Sequence, residues 1–106
     1  MRASGVALRI RADDVPLLPR VLELIEGGAV PGGTRGNAET HAHFTTFATS
    51  VAEPSKIAFS DAQTSGGLLI SVAPGSLQTL ERELQARSVF FAVIGEVLDG
   101  TGIYVE

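Results

Sequence analysis

The sequence predicts an α+β domain: a mixed β-sheet with helices packed on one face. Three observations carry that expectation. Val6 to Arg11 alternates with period two, Val6, Leu8 and Ile10 on one side and Ala7, Arg9 and Arg11 on the other, as a half-buried strand does. Leu68 to Val72 is apolar on both faces, as a central strand is, and Leu77, Leu80 and Leu84 follow at helical spacing. The chain then closes on two strand-like runs, Val89–Val97 and Ile103–Val105, with Asp99-Gly100-Thr101-Gly102 between them as the turn of a hairpin. Strands alternate with helices, but a terminal hairpin moves the layout from a purely parallel sheet to α+β.

The remaining elements follow in order. Asp13 and Asp14 offer capping oxygens, and Pro16 and Pro19 suit a first helical turn. Leu18, Val21, Leu22 and Ile25 predict a helix over Leu18–Glu26, stopped by Gly27 and Gly28. Pro31 to Asn37 reads as a backbone-dominated loop that can open a helical turn. Phe44, Thr45, Thr46, Phe47 and Thr49 favour extended backbone. Ser50 and Glu53 have the spacing of a capping box, ahead of a short helix to about Phe59. Asp61–Gly67 is a second polar loop. In the helix that contains Leu77, the residues Glu81, Arg82, Glu83 and Arg87 fall on the outer side, and Glu83 can pair with Arg87.

With 106 residues the expectation is a single domain over 1–106, and 44% hydrophobic residues are enough to bury a core. Lys plus Arg is 8 against 12 Asp plus Glu, and the basic residues are scattered from Arg2 to Arg87. Nucleic acid is therefore not an expected partner. No apolar run approaches a membrane span, and the first ten residues lack the pattern of a signal peptide, so a cytoplasmic protein with no membrane contact is expected. Without cysteine there is no disulfide, thiolate site or thiol nucleophile.

Phosphate-loop, dinucleotide and nucleophile-elbow motifs are all absent, and Lys56 is the only lysine. Three constellations remain. Gly32-Gly33-Thr34-Arg35-Gly36-Asn37 combines close backbone approach with a guanidinium and an amide; it is either an anion cradle or a turn with Arg35 in solvent. Asp61-Ala62-Gln63-Thr64-Ser65-Gly66-Gly67 places hydroxyls and glycines before a buried strand, lining a cleft or forming a tight turn with Asp61 as a cap. His41 and His43 at i, i+2 can share a metal ion, but two ligands without a third favour surface histidines. Phe90-Phe91 is expected in core packing, and Glu96 and Asp99 as solvated turn charges.

Taken together these segments resemble the selenophosphate synthetase (selenide, water dikinase) family. Val30–Asn37 resembles its PGGTRxN segment, Asp61–Ile70 its DPQTSGGLLI segment, and Ala92–Val97 its AxIGEV segment, in the family's order and at about its spacing. Ala3-Ser4-Gly5-Val6 and Leu17-Leu18-Pro19 also fit, so the resemblance covers nearly the whole chain. Ala62 stands where proline is usual, and Gly36 where a second arginine is common; Thr40–Phe59 matches poorly.

The resemblance implies the fold of an aminoimidazole ribonucleotide synthetase-like C-terminal domain. It implies a parent reaction in which ATP, selenide and water give selenophosphate, AMP and phosphate, with ATP and Mg as cofactors. The family's N-terminal ATP-binding domain carries the catalytic Cys or selenocysteine, the lysine and the metal-binding aspartates. None of these is in this sequence. That domain is the implied partner, and a homodimer the implied state of the parent enzyme. No catalytic residue and no metal ligand are assigned here, no tightly bound cofactor is expected on this chain, and the chain alone is expected to be inactive. Cleft contacts are assigned to Gly33, Thr34, Arg35, Asn37, Gln63, Thr64, Ser65, Gly66 and Gly67. The alternatives are a free-standing, non-catalytic module of the same fold, or the C-terminal domain of a sibling ATP-dependent enzyme of the hydrogenase-maturation, purine-synthesis or thiamine-phosphate kinase type.

Overall fold

The alternating segment forms β1 (Val6–Ile10), which lies inside a four-stranded sheet with β2 (Thr45–Phe47), β3 (Gly95–Asp99) and β4 (Gly102–Val105), in the order β2–β4–β1–β3. The computed structural model describes residues 4–106; Ala3, part of the opening match to the family, lies outside the described residues. β1 runs antiparallel to β3, with Val6 opposite Asp99 and Ile10 opposite Gly95. It runs parallel to β4, with Ala7 opposite Gly102 and Ile10 opposite Val105, and β4 is parallel to β2. The ladder extends past the strand ends: the Glu106 N–H donates to the Ile10 carbonyl at 2.9 Å, and the Ala12 N–H to the Glu106 carbonyl at 2.7 Å. This is the mixed sheet of the expected α+β fold.

The central position of β1 changes which residues it buries. The alternation points to Val6, Leu8 and Ile10 as its inner face, yet the most buried residue is Ala7, at 2% exposure, while the other four are half-buried. β1 has a strand neighbour on either edge, and the small Ala7 side chain is the one its surroundings cover most completely. Val105 and Val51 complete the buried apolar set.

The terminal hairpin does not form. β3 and β4 are joined through Gly100 and Thr101, but β1 lies between them. The connection must span two strand spacings of about 4.8 Å each, so it is stretched, not folded back. Gly100 and Gly102 supply the backbone freedom, at φ 119° and 97°.

Two predicted strands are also corrected. The run Val89–Val97 is a strand only from Gly95, and Leu68–Val72 has no regular structure. Among the described residues no strand pairs with Val89–Val93 or with Leu68–Val72, and a strand without a neighbour has nothing to hold its backbone extended. Leu68 is 90% exposed, and Phe90 and Phe91 are exposed as well, not packed in the core.

The helices follow the pattern with shifted ends. α1 (Val21–Glu26) starts after Arg20, which takes φ 68°, so Pro16 and Pro19 precede the helix and do not form its first turn. Asp13 and Asp14 belong to a short 3-10 turn, Ala12–Asp14, where Asp14 pairs with Arg11 and does not cap α1. Gly28, at φ 85°, ends α1 and lets the Ala29 N–H reach the Leu24 carbonyl at 2.9 Å. The stretch read as a loop is α2 (Gly32–His41). α3 (Glu53–Ala58) is capped by Ala52 without a side-chain bond, so the Ser50–Glu53 capping box is not made; Glu53 pairs with Lys56 instead. α1 packs on α3.

α4 (Pro74–Ala86) half-buries Leu77, Leu80 and Leu84 as expected and carries the Glu83–Arg87 ion pair, although Glu81 is half-buried where an outward position was expected. Ser88, at φ 54°, closes it, with the Val89 N–H bonded to the Leu84 carbonyl at 3.0 Å. Among the described residues no helix is long and apolar enough to cross a membrane.

Candidate functional site

Two of the three polar constellations meet. Thr34, in the first turn of α2, is 2% exposed, and its side chain points at the start of the Asp61–Gly67 loop. Its hydroxyl donates to Asp61 Oδ1 at 3.1 Å and accepts the Ala62 N–H at 3.2 Å. One turn on, Asn37 Nδ2 donates to the Ser60 carbonyl at 3.1 Å. Residues at i and i+3 share a helix face, so α2 presents Thr34 and Asn37 as a pair to consecutive residues of the other segment.

This pinning explains the helix. Gly32, Gly33 and Gly36 disfavour one on propensity alone. The tertiary bonds of Thr34 and Asn37 hold that stretch helical. Gly33 belongs to the same contact: a Cβ there would sit 3.2 Å from the Ala62 Cβ, so glycine lets helix and loop approach closely.

The Ala62 N–H bond to Thr34 is a main-chain bond that any residue but proline can make at this position, since proline has no N–H to give.

The loop continues with Gln63, whose Nε2 donates to Asp61 Oδ2 at 3.2 Å, so both carboxylate oxygens of Asp61 are engaged. Asp61 and Ser60 are the organising residues outside the cleft assignment: Asp61 opens the polar constellation Asp61–Gly67, and Ser60, just before it, takes part through its main-chain carbonyl, which carries no signal in the sequence. Thr64, Ser65, Gly66 and Gly67 are exposed, as is Arg35 on the solvent side of α2. The structure therefore joins Gly33, Thr34 and Asn37 to Gln63 through Asp61 and Ala62. It leaves Arg35, Thr64, Ser65, Gly66 and Gly67 at the rim, free of side-chain hydrogen bonds among the described residues.

Chemically the assembly is a hydrogen-bonded frame with one exposed guanidinium and two exposed hydroxyls. It can orient an anionic or polar group, and it offers no nucleophile paired with a base. Among the described residues no three His, Cys, Asp or Glu side chains gather to hold a metal ion, and Lys56 is tied to Glu53.

The other candidates have local roles. His41 ends α2 and His43 lies in the following turn, their rings 5.3 and 5.7 Å from Phe44; they do not share a strand face. Glu96 pairs across the sheet with Arg9 at 2.9 Å, so it is not a free turn charge. A cavity of about 170 Å³ lined by Asp13, Ser50, Val51, Ser55 and Glu106 lies apart from the Thr34 frame.

The whole chain, residues 1–106, matches the family model described as AIR synthase related protein, C-terminal domain. The chain belongs to this family. Its α+β fold with a mixed sheet is the family's C-terminal domain. Among the similar proteins are three named selenide, water dikinase. The one from Pelobacter propionicus is 40% identical over 97 residues, covering 91% of this chain and 28% of its own length. One from Escherichia coli is 35% identical over 105 residues, covering 95% and 28%. One from Haemophilus ducreyi is 33% identical over 98 residues, covering 92% and 28%. The chain thus spans between a quarter and a third of the length of the relatives it matches.

Proposed function

We propose that this chain is the C-terminal domain of a selenide, water dikinase and forms one wall of its reaction cleft. The observation that carries the reading is the Thr34 frame: the two segments that most resemble this family, far apart in sequence, are joined by two hydrogen bonds of Thr34, with a third from Asn37 to Ser60 just ahead of the second segment. The relatives' printed name and the fraction of their length that is matched support the same reading.

On this reading the parent enzyme makes selenophosphate from selenide, ATP and water, releasing AMP and phosphate. The Mg and phosphate-binding groups belong to a separate ATP-binding N-terminal domain, which is this chain's partner. The chain's own residues position and do not react. Thr34 and Asn37 fix the Asp61–Gly67 loop, and Arg35, Thr64 and Ser65 face the cleft as hydrogen-bond donors to substrate or partner domain. The cell compartment is the cytoplasm, and the parent works as a dimer.

A chimera tests this. The matched segment of the Pelobacter propionicus protein is replaced by this chain, and selenide-dependent formation of AMP from ATP is followed. The chimera is expected to stay within about tenfold of the parent, while this chain alone forms no AMP. A folded chimera with no selenide-dependent turnover would sink the assignment.

A further inference from the structure

Asp61 is gripped from two sides, and the grip leaves one atom over. The buried Thr34 hydroxyl has a single acceptor for its proton among the described residues, Asp61 Oδ1 at 3.1 Å. That bond orients the carboxylate, and its second oxygen, Oδ2, takes an N–H of Gln63 Nε2 at 3.2 Å. A carboxylate only accepts, so the Gln63 amide has to turn its nitrogen toward Asp61. The amide oxygen, Oε1, is left over, and no hydrogen bond reaches it among the described residues. Gly66 keeps that oxygen open: a Cβ there would lie 3.4 Å from Oε1 and stand against it.

We propose that Asp61 is a positioning residue that sets the polarity of Gln63, so that the loop offers the acceptor Gln63 Oε1 to a neutral N–H or O–H group of the ligand. Nε2 keeps a second N–H. The fit is therefore to a group that donates to Oε1 and can accept beside it, such as a hydroxyl, and not to one that only accepts, such as an ionised phosphate. The rim then divides its work. Arg35, Thr64 and Ser65 carry donors suited to an anion, and Gln63 selects the neutral part of what is bound. The order of command runs outward from the core: Thr34 is buried, Asp61 answers to Thr34, and the exposed Gln63 answers to Asp61.

This deepens the proposed function and rests on it for the ligand; the setting of Gln63 by Asp61 is a property of the chain alone. In the reaction assigned to the parent, two sources of such a group are at hand: the amino and hydroxyl groups of the ATP nucleoside, and the water. Substitution separates polarity from shape. Asp61→Asn keeps the shape and still accepts from Thr34, but it turns an N–H toward Gln63, whose amide must flip and present its nitrogen to the cleft. In the double variant, Asp61→Asn with Gln63→Glu, the new amide donates to one carboxylate oxygen and the other is again an acceptor at the cleft. Gln63→Glu alone sets two carboxylates against each other.

Two readouts test this. In the 106-residue chain, the side-chain amide protons of Gln63 should exchange about two- to tenfold more slowly than those of Gln78 and Gln85, which are exposed on α4 and make no side-chain hydrogen bond among the described residues. Asp61→Asn should abolish the difference. In the chimera, Asp61→Asn should lower kcat/KM by about tenfold, and the double variant should recover most of that loss, while Gln63→Glu alone should not. A raised KM for ATP with kcat kept assigns the donor to the nucleotide; a lowered kcat with KM kept assigns it to the water. Equal exchange at the three glutamines of the wild-type chain overturns the proposal, whatever the chimera does. So does a double variant no more active than Asp61→Asn in a working chimera. A chimera without turnover counts against the dikinase reading, and the exchange rates then decide alone whether Asp61 sets Gln63.

Discussion

The part of the molecule built around β1 and the part from Gln63 to Ile94 are made of similar residues and reach opposite states. Val51 and Val105 are 6% and 2% exposed, whereas Leu68 and Phe90 are 90% and 78% exposed. The contrast lies in the backbone. Around β1 each strand finds a partner, and the ladder continues beyond the strand ends through Ala12 and Glu106. From Gln63 to Val72 no backbone bond is made among the described residues. Apolar content sets what can be buried; pairing of main-chain groups decides what is.

The sharpest way to break the first part is at its tightest point. A Cβ added to Gly95 would lie 2.0 Å from the Arg9 carbonyl oxygen and 3.0 Å from the Ile10 Cα, both main-chain atoms that cannot swing aside. Gly95→Ala should therefore force β1 and β3 apart and cost at least about 3 kcal/mol in chemical denaturation. Gly75→Ala is the counterpart in the second part. It has open space and sits in α4, and should change stability by less than about 1 kcal/mol, in the stabilising direction. Comparable losses for the two would mean that the parts do not differ in packing as described.

The same contrast marks what could be read from the sequence. β1 and α4 were legible because their periodicities are strong and local. The two motif segments were legible as motifs, and the residues that join them, Thr34 and Asn37, were among those singled out. α2 was not legible: its glycines speak against a helix, and the bonds that hold it come from Ser60, Asp61 and Ala62, more than twenty positions away. The order of β3 and β4 was hidden for a similar reason. A two-residue link suggests a hairpin, and only the insertion of β1 between them excludes one. Pattern reports what a segment prefers, and partners distant in sequence decide among the preferences.

Thr34 holds Asp61 and Ala62, from which the second part departs, and its loss should be the next largest effect. Thr34→Val keeps the shape and removes a buried hydroxyl that both donates and accepts, leaving Asp61 Oδ1 and the Ala62 N–H without it. The expected loss is about 1–3 kcal/mol. In the chimera, turnover should fall further than stability explains, because the Gln63–Gly67 loop loses its anchor. Ala62→Pro removes the N–H bond alone and stiffens the unfolded chain, so its cost should be smaller, under about 1 kcal/mol. Full turnover in a folded Thr34→Val chimera would mean that the frame is structural only.

The smallest effect belongs to the surface pair that fastens the start of α1. Arg20 holds Glu23 by two bonds, Nε to Oε2 at 3.0 Å and Nη2 to Oε1 at 2.8 Å. These bonds hold the Glu23 carboxyl below its ordinary value and raise that of Arg20. A carboxyl lowered by folding contributes its stability above its unfolded value, and loses it as the pH falls through the folded one. Wild type and Glu23→Gln should accordingly differ most at neutral pH and converge on acidification, as read by thermal unfolding across pH. Both side chains are solvated, so the gap at neutral pH should stay well below that of Thr34→Val. A gap as large as that of Thr34→Val would place the anchoring of α1 in its ion pair and not in its packing on α3, and would remove burial as the distinction between the two parts at this helix.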